Sequence, residues 1–195
     1  MTSDGPQQSR QSLQSLPEGL PHPTDDGAAD HLTGHDVPAI VLAATDGASI
    51  DLSSLRGRTV VYAYPMTGRP DVALPDGWDA IPGARGCTPQ SCAFRDHYRE
   101  LIDAGAVAVF GLSSQDTVYQ REAAERLHLP FPLLSDHDGQ LRTALSLPHF
   151  KVEDRVLLKR LTMILRDGRI EHVFYPVFPP DRNARDVLAW LQSAK

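Results

Sequence analysis

The chain has 195 residues, 41% of them hydrophobic, with 19 Lys and Arg against 25 Asp and Glu for a net charge of −6 and a pI near 5.7. That length suits one domain with a single sizeable core. The acidic balance argues against a general binder of nucleic acid or anionic membrane, and no apolar run long enough to span a bilayer and no secretory leader is seen, so a soluble, cytoplasmic protein is expected.

Residues 1–35 mix Ser, Gln, Pro, Asp, Gly and His with few large apolar side chains. Such a stretch buries too little surface to offset the entropy of ordering it, and it reads as a flexible arm, with His22, His31 and His35 solvated. The domain is expected over 36–195. Ile40, Val41 and Leu42, then Ser49 to Leu52, flank Thr45, Asp46 and Gly47 and predict a short hairpin. The run Thr59, Val60, Val61, Tyr62, Ala63, Tyr64 predicts a buried strand that Pro65 stops.

After a Pro- and Gly-rich stretch, Phe94, Tyr98, Leu101 and Ile102 recur at helical spacing and predict one amphipathic helix over 88–104, ended by Gly105. A second buried strand follows over 106–112. Asp116 then caps a helix to about 127, 131–134 forms a short third strand, and 139–145 one or two helical turns. Residues 161–165 and 170–174 flank Asp167-Gly168 as a hairpin, and a last helix runs over 183–192. Alternating strands and helices imply parallel pairing with right-handed crossovers. The expected fold is α/β, a thioredoxin-like sandwich with a mixed central sheet, helices on both faces and an N-terminal β-hairpin.

Only two cysteines occur, Cys87 and Cys92. In a reducing compartment a close pair is more often catalytic, redox-active or metal-binding than a structural staple. Cys87 falls at the start of the predicted helix, where unpaired N–H groups and the helix dipole favour negative charge, so a nucleophilic thiolate is stabilised there. Attack on a peroxide would leave a sulfenic acid, which condenses with a nearby thiol, and Cys92 is the one candidate. Residues five apart on an ideal helix have Cα atoms about 8–9 Å apart. A disulfide needs about 7 Å or less, so its formation requires the first turns to unwind. Two other readings stay open: ordinary buried thiols on a core helix, and a zinc site with His97 as a third ligand.

The run Gly86, Cys87, Thr88, Pro89, Gln90, Ser91, Cys92, Ala93, Phe94, Arg95, Asp96 resembles the active-site segment of the Q-type peroxiredoxins, or bacterioferritin-comigratory proteins. Residues 38–55, the strand to Tyr64 and Pro65, 106–113, 131–136 and 159–162 follow the family's landmarks in order, so the resemblance spans roughly 36–192. It implies reduction of hydrogen peroxide and organic hydroperoxides, with Cys87 peroxidatic, Cys92 resolving, and an intramolecular Cys87–Cys92 disulfide. It further implies no metal or organic cofactor, recycling by a thioredoxin-like donor, and a monomer or weak dimer. Arg160 takes the place of the family's thiolate- and peroxide-binding arginine, a role that suits a fixed guanidinium.

The pattern departs in one region. The family's Pro and Thr or Ser, seven and three residues before the peroxidatic Cys, are here Ala80 and Ala84. Pro65 is the expected counterpart of the Pro, displaced by an insertion over about 66–80, and the hydroxyl falls to Thr67, to Thr88, or to no residue. The insertion carries Arg69 and Trp78, with Arg85 beyond it; it reads either as a cover over the thiol or a docking surface, or as a plain loop. Against a peroxidase stand a redox sensor that does not turn over and a general dithiol oxidoreductase, the latter weakened because the pair is not Cys-x-x-Cys.

Overall fold

A computed structural model describes residues 16–194. The two halves of the N-terminal hairpin are β1 (Val41–Ala44) and β2 (Ser49–Asp51). Then come β3 (Arg58–Ala63), helix α1 (Cys87–Asp96), α2 (Tyr98–Asp103), β4 (Ala106–Ser113), α3 (Thr117–Arg126), β5 (Leu133–Ser135) and α4 (Gln140–Ala144). A hairpin of β6 (His149–Val152) and β7 (Arg155–Leu158) precedes β8 (Leu161–Arg166), β9 (Arg169–Phe174) and α5 (Asn183–Ser193). Seven strands make one sheet in the order β2-β1-β5-β4-β3-β8-β9, with β3, β4 and β5 parallel and the other pairings antiparallel. This is the expected mixed sheet in a thioredoxin-like arrangement.

β3 sits between β4 and β8 and is covered on both faces, which is why its sequence is almost continuously apolar. The pleat divides its side chains. Val60, Tyr62 and Tyr64 point to a core shared with Phe94 of α1, Leu101 of α2, and Val187 and Leu191 of α5. Val61 and Ala63 point to the opposite core, with Leu112, Leu134, Leu141, Leu147 and Met163. Gly111 of β4 leaves room for this: a Cβ there would lie 2.8 Å from Tyr62 Cζ and 2.5 Å from Leu133 Cδ2. The β8–β9 turn places Asp167 at φ 52° and Gly168 at φ 81°, the left-handed pair that a two-residue hairpin with native twist requires.

Two expectations need correction, and one hairpin goes unforeseen. The single helix over 88–104 is two, because the backbone at His97 (φ −98°, ψ 6°) leaves the helical region between α1 and α2. Hydrophobic spacing alone does not detect such a break, since Phe94 and Leu101 stay buried on both sides of it. The hairpin β6–β7 has no sequence signal: its turn is made by Glu153 at φ 51°, not by Gly or Asn.

The second correction concerns the N-terminal arm. Residues 1–15 lie outside the described residues, but 16–35 lie on the domain rather than apart from it. Leu32 is wholly buried and Ala29 nearly so in the second core, and His31 Nε2 lies 2.9 Å from the Leu145 carbonyl. A few well-placed apolar residues suffice to anchor a segment whose average composition is polar. The 66–80 stretch is likewise anchored, by Met66, Trp78, Ala84, Val152 and Leu157 in a third small core against the β6–β7 hairpin.

Leu32→Ala is expected to lower the unfolding free energy by about 2–5 kcal/mol, as for a buried leucine, measured by urea denaturation. A free arm would show no change.

Candidate active site

Cys87 is the first residue of α1 and is 4% exposed. Gly86 before it, at φ 103°, turns the chain into the helix, a conformation that disfavours any side chain. The thiol therefore lies at the N-terminal end of a ten-residue helix, where the peptide dipoles carry partial positive charge. As a thiol it donates to the Ala84 carbonyl at 3.6 Å.

Arg160, in the link between β7 and β8, is 3% exposed and points into this site. Its Nη2 donates to Cys87 Sγ at 3.3 Å and to the carbonyls of Gly83, Ala84 and Arg85 at 3.3, 3.3 and 3.1 Å. Its Nη1 donates to Gln90 Oε1. None of these partners is a carboxylate, and the Cys87 sulfur is the one among them with an anionic form.

Gln90 stands one helical turn after Cys87 and shares its face. Its Nε2 donates to Asn183 Oδ1 at 3.0 Å, and the Thr162 hydroxyl donates to the same oxygen at 2.7 Å. Gln90, Asn183 and Thr162 are all buried, and they tie α1, α5 and β8 together around Arg160. Reading the sequence did not single out these three. The i, i+3 spacing of Gln90 from Cys87 was the available signal, whereas Asn183 and Thr162 are brought in by long-range folding alone.

Cys92 lies on the same helix and is half-buried; both cysteines are free. Burial pushes its thiol up, partly opposed by the positive charge of Arg95. Beside it, Tyr62 donates to Ser91 Oγ at 3.1 Å and stacks on Phe94 at 4.3 Å, which fixes the middle of α1 on the sheet. Burial holds the phenols of Tyr62 and Tyr64 well above their usual range, so both stay neutral hydrogen-bonding groups.

Of the residues singled out in the sequence, Cys87 and Arg160 come together and Cys92 shares the helix. Thr67 is committed elsewhere: its N–H and hydroxyl both donate to Gln115 Oε1, at 2.9 and 3.1 Å. Thr88 is buried in the first turn of α1. Neither hydroxyl is bonded to the sulfur, and the Ala84 carbonyl occupies that position. Arg69 pairs with Asp71 and lies over Tyr119, and Arg85 pairs with Asp79. His97 faces Glu100 through Nδ1 and accepts from Arg185 through Nε2, and among the described residues no three His, Cys, Asp or Glu side chains gather as a metal site.

The Redoxin family profile matches residues 32–188. The chain is similar to the chloroplastic peroxiredoxin Q of Oryza sativa subsp. japonica, 33% identical over 162 residues that make up 82% of this chain and 66% of the relative. It therefore spans just under two thirds of that relative's length. It is also 31% identical to the chloroplastic peroxiredoxin Q of Gentiana triflora over 189 residues, covering 93% of this chain and 79% of the relative. Among solved structures, peroxidoxin BcpB of Mycobacterium tuberculosis superposes with a TM-score of 0.66 at 26% identity, over 85% of this chain and 99% of that one. Peroxiredoxin Q of Xanthomonas campestris shares the fold at a TM-score of 0.61 and 20% identity, over 89% of this chain and 97% of the other.

Because Thr67 is bonded away from the sulfur, Thr67→Val should leave the rate of Cys87 alkylation by iodoacetamide within about twofold of wild type, as for a change that spares the reacting group. In a Cys87→Ser background, alkylation of Cys92 should rise with pH along a curve displaced to higher pH than that of free cysteine. A curve that coincides with free cysteine contradicts the burial effect.

Proposed function

The chain belongs to the Redoxin family, among its Q-type or bacterioferritin-comigratory peroxiredoxins, and from that premise we propose that it is a thiol peroxidase with Cys87 as the attacking sulfur. The observation that carries this reading is the Arg160 guanidinium 3.3 Å from Cys87 Sγ at the start of α1, with no carboxylate among the groups it bonds. A thiolate is the nucleophile in peroxide reduction, and a helix N-terminus with a buried guanidinium stabilises it. The same guanidinium stabilises charge that develops on the peroxide oxygens.

In the first step the Cys87 thiolate attacks one peroxide oxygen and the O–O bond breaks. The sulfur is oxidised to a sulfenic acid, and the other oxygen leaves as water or an alcohol after taking a proton. Cys92 then attacks the Cys87 sulfur, the hydroxyl leaves as water with the Cys92 proton, and a Cys87–Cys92 disulfide results. With both residues on one helix, that bond requires the first turns of α1 to open. A thioredoxin-like dithiol reduces the disulfide and is itself oxidised. Hydrogen peroxide and organic hydroperoxides are the substrates in this reading, the protein acts as a monomer or weak dimer, and the need for a thiol donor places it in a reducing compartment such as the cytoplasm. No helix among the described residues is long and apolar enough to cross a membrane.

The test is peroxide consumption coupled to a thioredoxin system. Cys87→Ser should abolish turnover; Cys92→Ser should stop after one equivalent with a trappable sulfenic acid; Arg160→Ala should lose about 100- to 1,000-fold, the scale of removing one charge-stabilising donor. Stoichiometric oxidation of the wild type without recycling by any dithiol donor would instead mark a redox sensor.

A further inference from the structure

Residues 16–27 lie against the loop that carries Cys87 and touch two of its glycines. A Cβ built on Gly83 would lie 3.5 Å from Pro23 Cβ, and one on Gly86 would lie 2.8 Å from Leu16 Cδ2, beside Pro180 Cγ at 2.4 Å. Gly86 is the residue that turns the chain into α1. The segment is tied down at Asp26, whose Oδ2 pairs with Lys159 Nζ at 2.5 Å and whose Oδ1 accepts from the Tyr175 hydroxyl at 2.6 Å. These two partners hold the Asp26 carboxyl well below the usual carboxylate range, so the tie stays ionised. Between tie and loop, Pro23, Thr24 and Asp26 wall one side of a cavity of about 370 Å³ whose other walls include Ile81, Gly83 and Arg160.

Opening the first turn of α1 moves Cys87 and Gly86 together, and Gly86 is in contact with this covering segment. The cover and the disulfide therefore compete. We propose that residues 16–27 are a strap that holds the Cys87 loop closed and lifts when the Cys87–Cys92 disulfide forms, so that the Asp26 tie sets the fate of the sulfenic acid. This rests on the peroxidase reading above.

Two reactions divide the Cys87 sulfenic acid. Attack by Cys92 forms the S–S bond and releases water. If the loop stays closed, the sulfenate oxygen-bearing sulfur attacks a second peroxide instead, gains a second oxygen to become a sulfinate, and releases water or an alcohol from the broken O–O bond. A firm strap slows the first reaction and leaves the sulfur exposed to the second.

Asp26→Ala should leave the first oxidation unchanged while disulfide formation quickens by about three- to fivefold, the size of effect that an exposed ion pair carries. The sulfinic fraction at excess peroxide, read by mass spectrometry, should fall in proportion. In the wild type, amide exchange over residues 18–30 should be faster in the disulfide form than in the reduced form. Equal sulfinic fractions in variant and wild type, or equal exchange in the two redox states, overturns the strap. If the wild type consumes no peroxide, the peroxidase reading falls on its own; the disulfide is then made with diamide, and the exchange comparison still decides.

Discussion

A guanidinium buried to 3% exposure without a carboxylate partner among the described residues is the constraint around which this site is organised. Removing such a charge from water costs several kcal/mol unless neighbouring dipoles or an opposite charge compensate. Here the compensation comes from the carbonyls of Gly83, Ala84 and Arg85, from Gln90 Oε1 and from the Cys87 sulfur. Arg160 Nε finds no acceptor among the described residues, so the compensation is incomplete while the sulfur is neutral. Three consecutive carbonyls aimed at one point demand a specific loop path. The glycines at 83 and 86, at φ 77° and 103°, and the anchoring of Trp78 and Ala84 in the third core provide it.

That geometry also bears on Ala84, which stands where the resemblance places the family's hydroxyl. A hydroxyl both donates and accepts, and so can serve a thiol and a thiolate alike. The Ala84 carbonyl only accepts: it holds the protonated sulfur and offers nothing to the charged one. In the peroxidase reading, support for a thiolate comes from Arg160 and from the position at the N-terminal end of α1. The two tasks that one side chain can perform are divided between a backbone carbonyl and a guanidinium, and Arg160 bonds to both halves of the arrangement.

Much of this was legible in the sequence because it is local. The apolar run of β3, the cap at Asp116 and the turn at Asp167-Gly168 are fixed within a few residues, as is the placement of Cys87 at a helix start, and all appear as the residues suggest. The family resemblance added Arg160, 73 residues from Cys87 along the chain, which no local pattern places. What stayed hidden depends on distant contacts. Leu32 looks like one apolar residue in a polar arm until it is seen to share a core with Leu141 and Leu147. Asn183 looks like a helix start until Gln90 and Thr162 converge on its side chain. Thr67 is one candidate for the hydroxyl because it follows Pro65 in sequence, yet Gln115, brought over by the β4–α3 link, takes both its donors.

The network around Gln90 makes the reduced state self-consistent and also gives oxidation a cost. Opening the first turn of α1 withdraws an amide that serves Arg160 on one side and Asn183 on the other, and each buried polar group left without a partner costs about 1–3 kcal/mol. In the peroxidase reading, converting the Cys87 sulfur to a disulfide also removes the group that, among the described partners of Arg160, has an anionic form. The two effects differ in sign for the helix. Lost hydrogen bonds resist the opening, whereas loss of the thiolate removes the charge that favoured the helix N-terminus and held the guanidinium against it. In the peroxidase reading, a helix start held by an anion that the reaction itself consumes stays closed for as long as the sulfur is a thiolate, and its hold weakens once the sulfur has been oxidised.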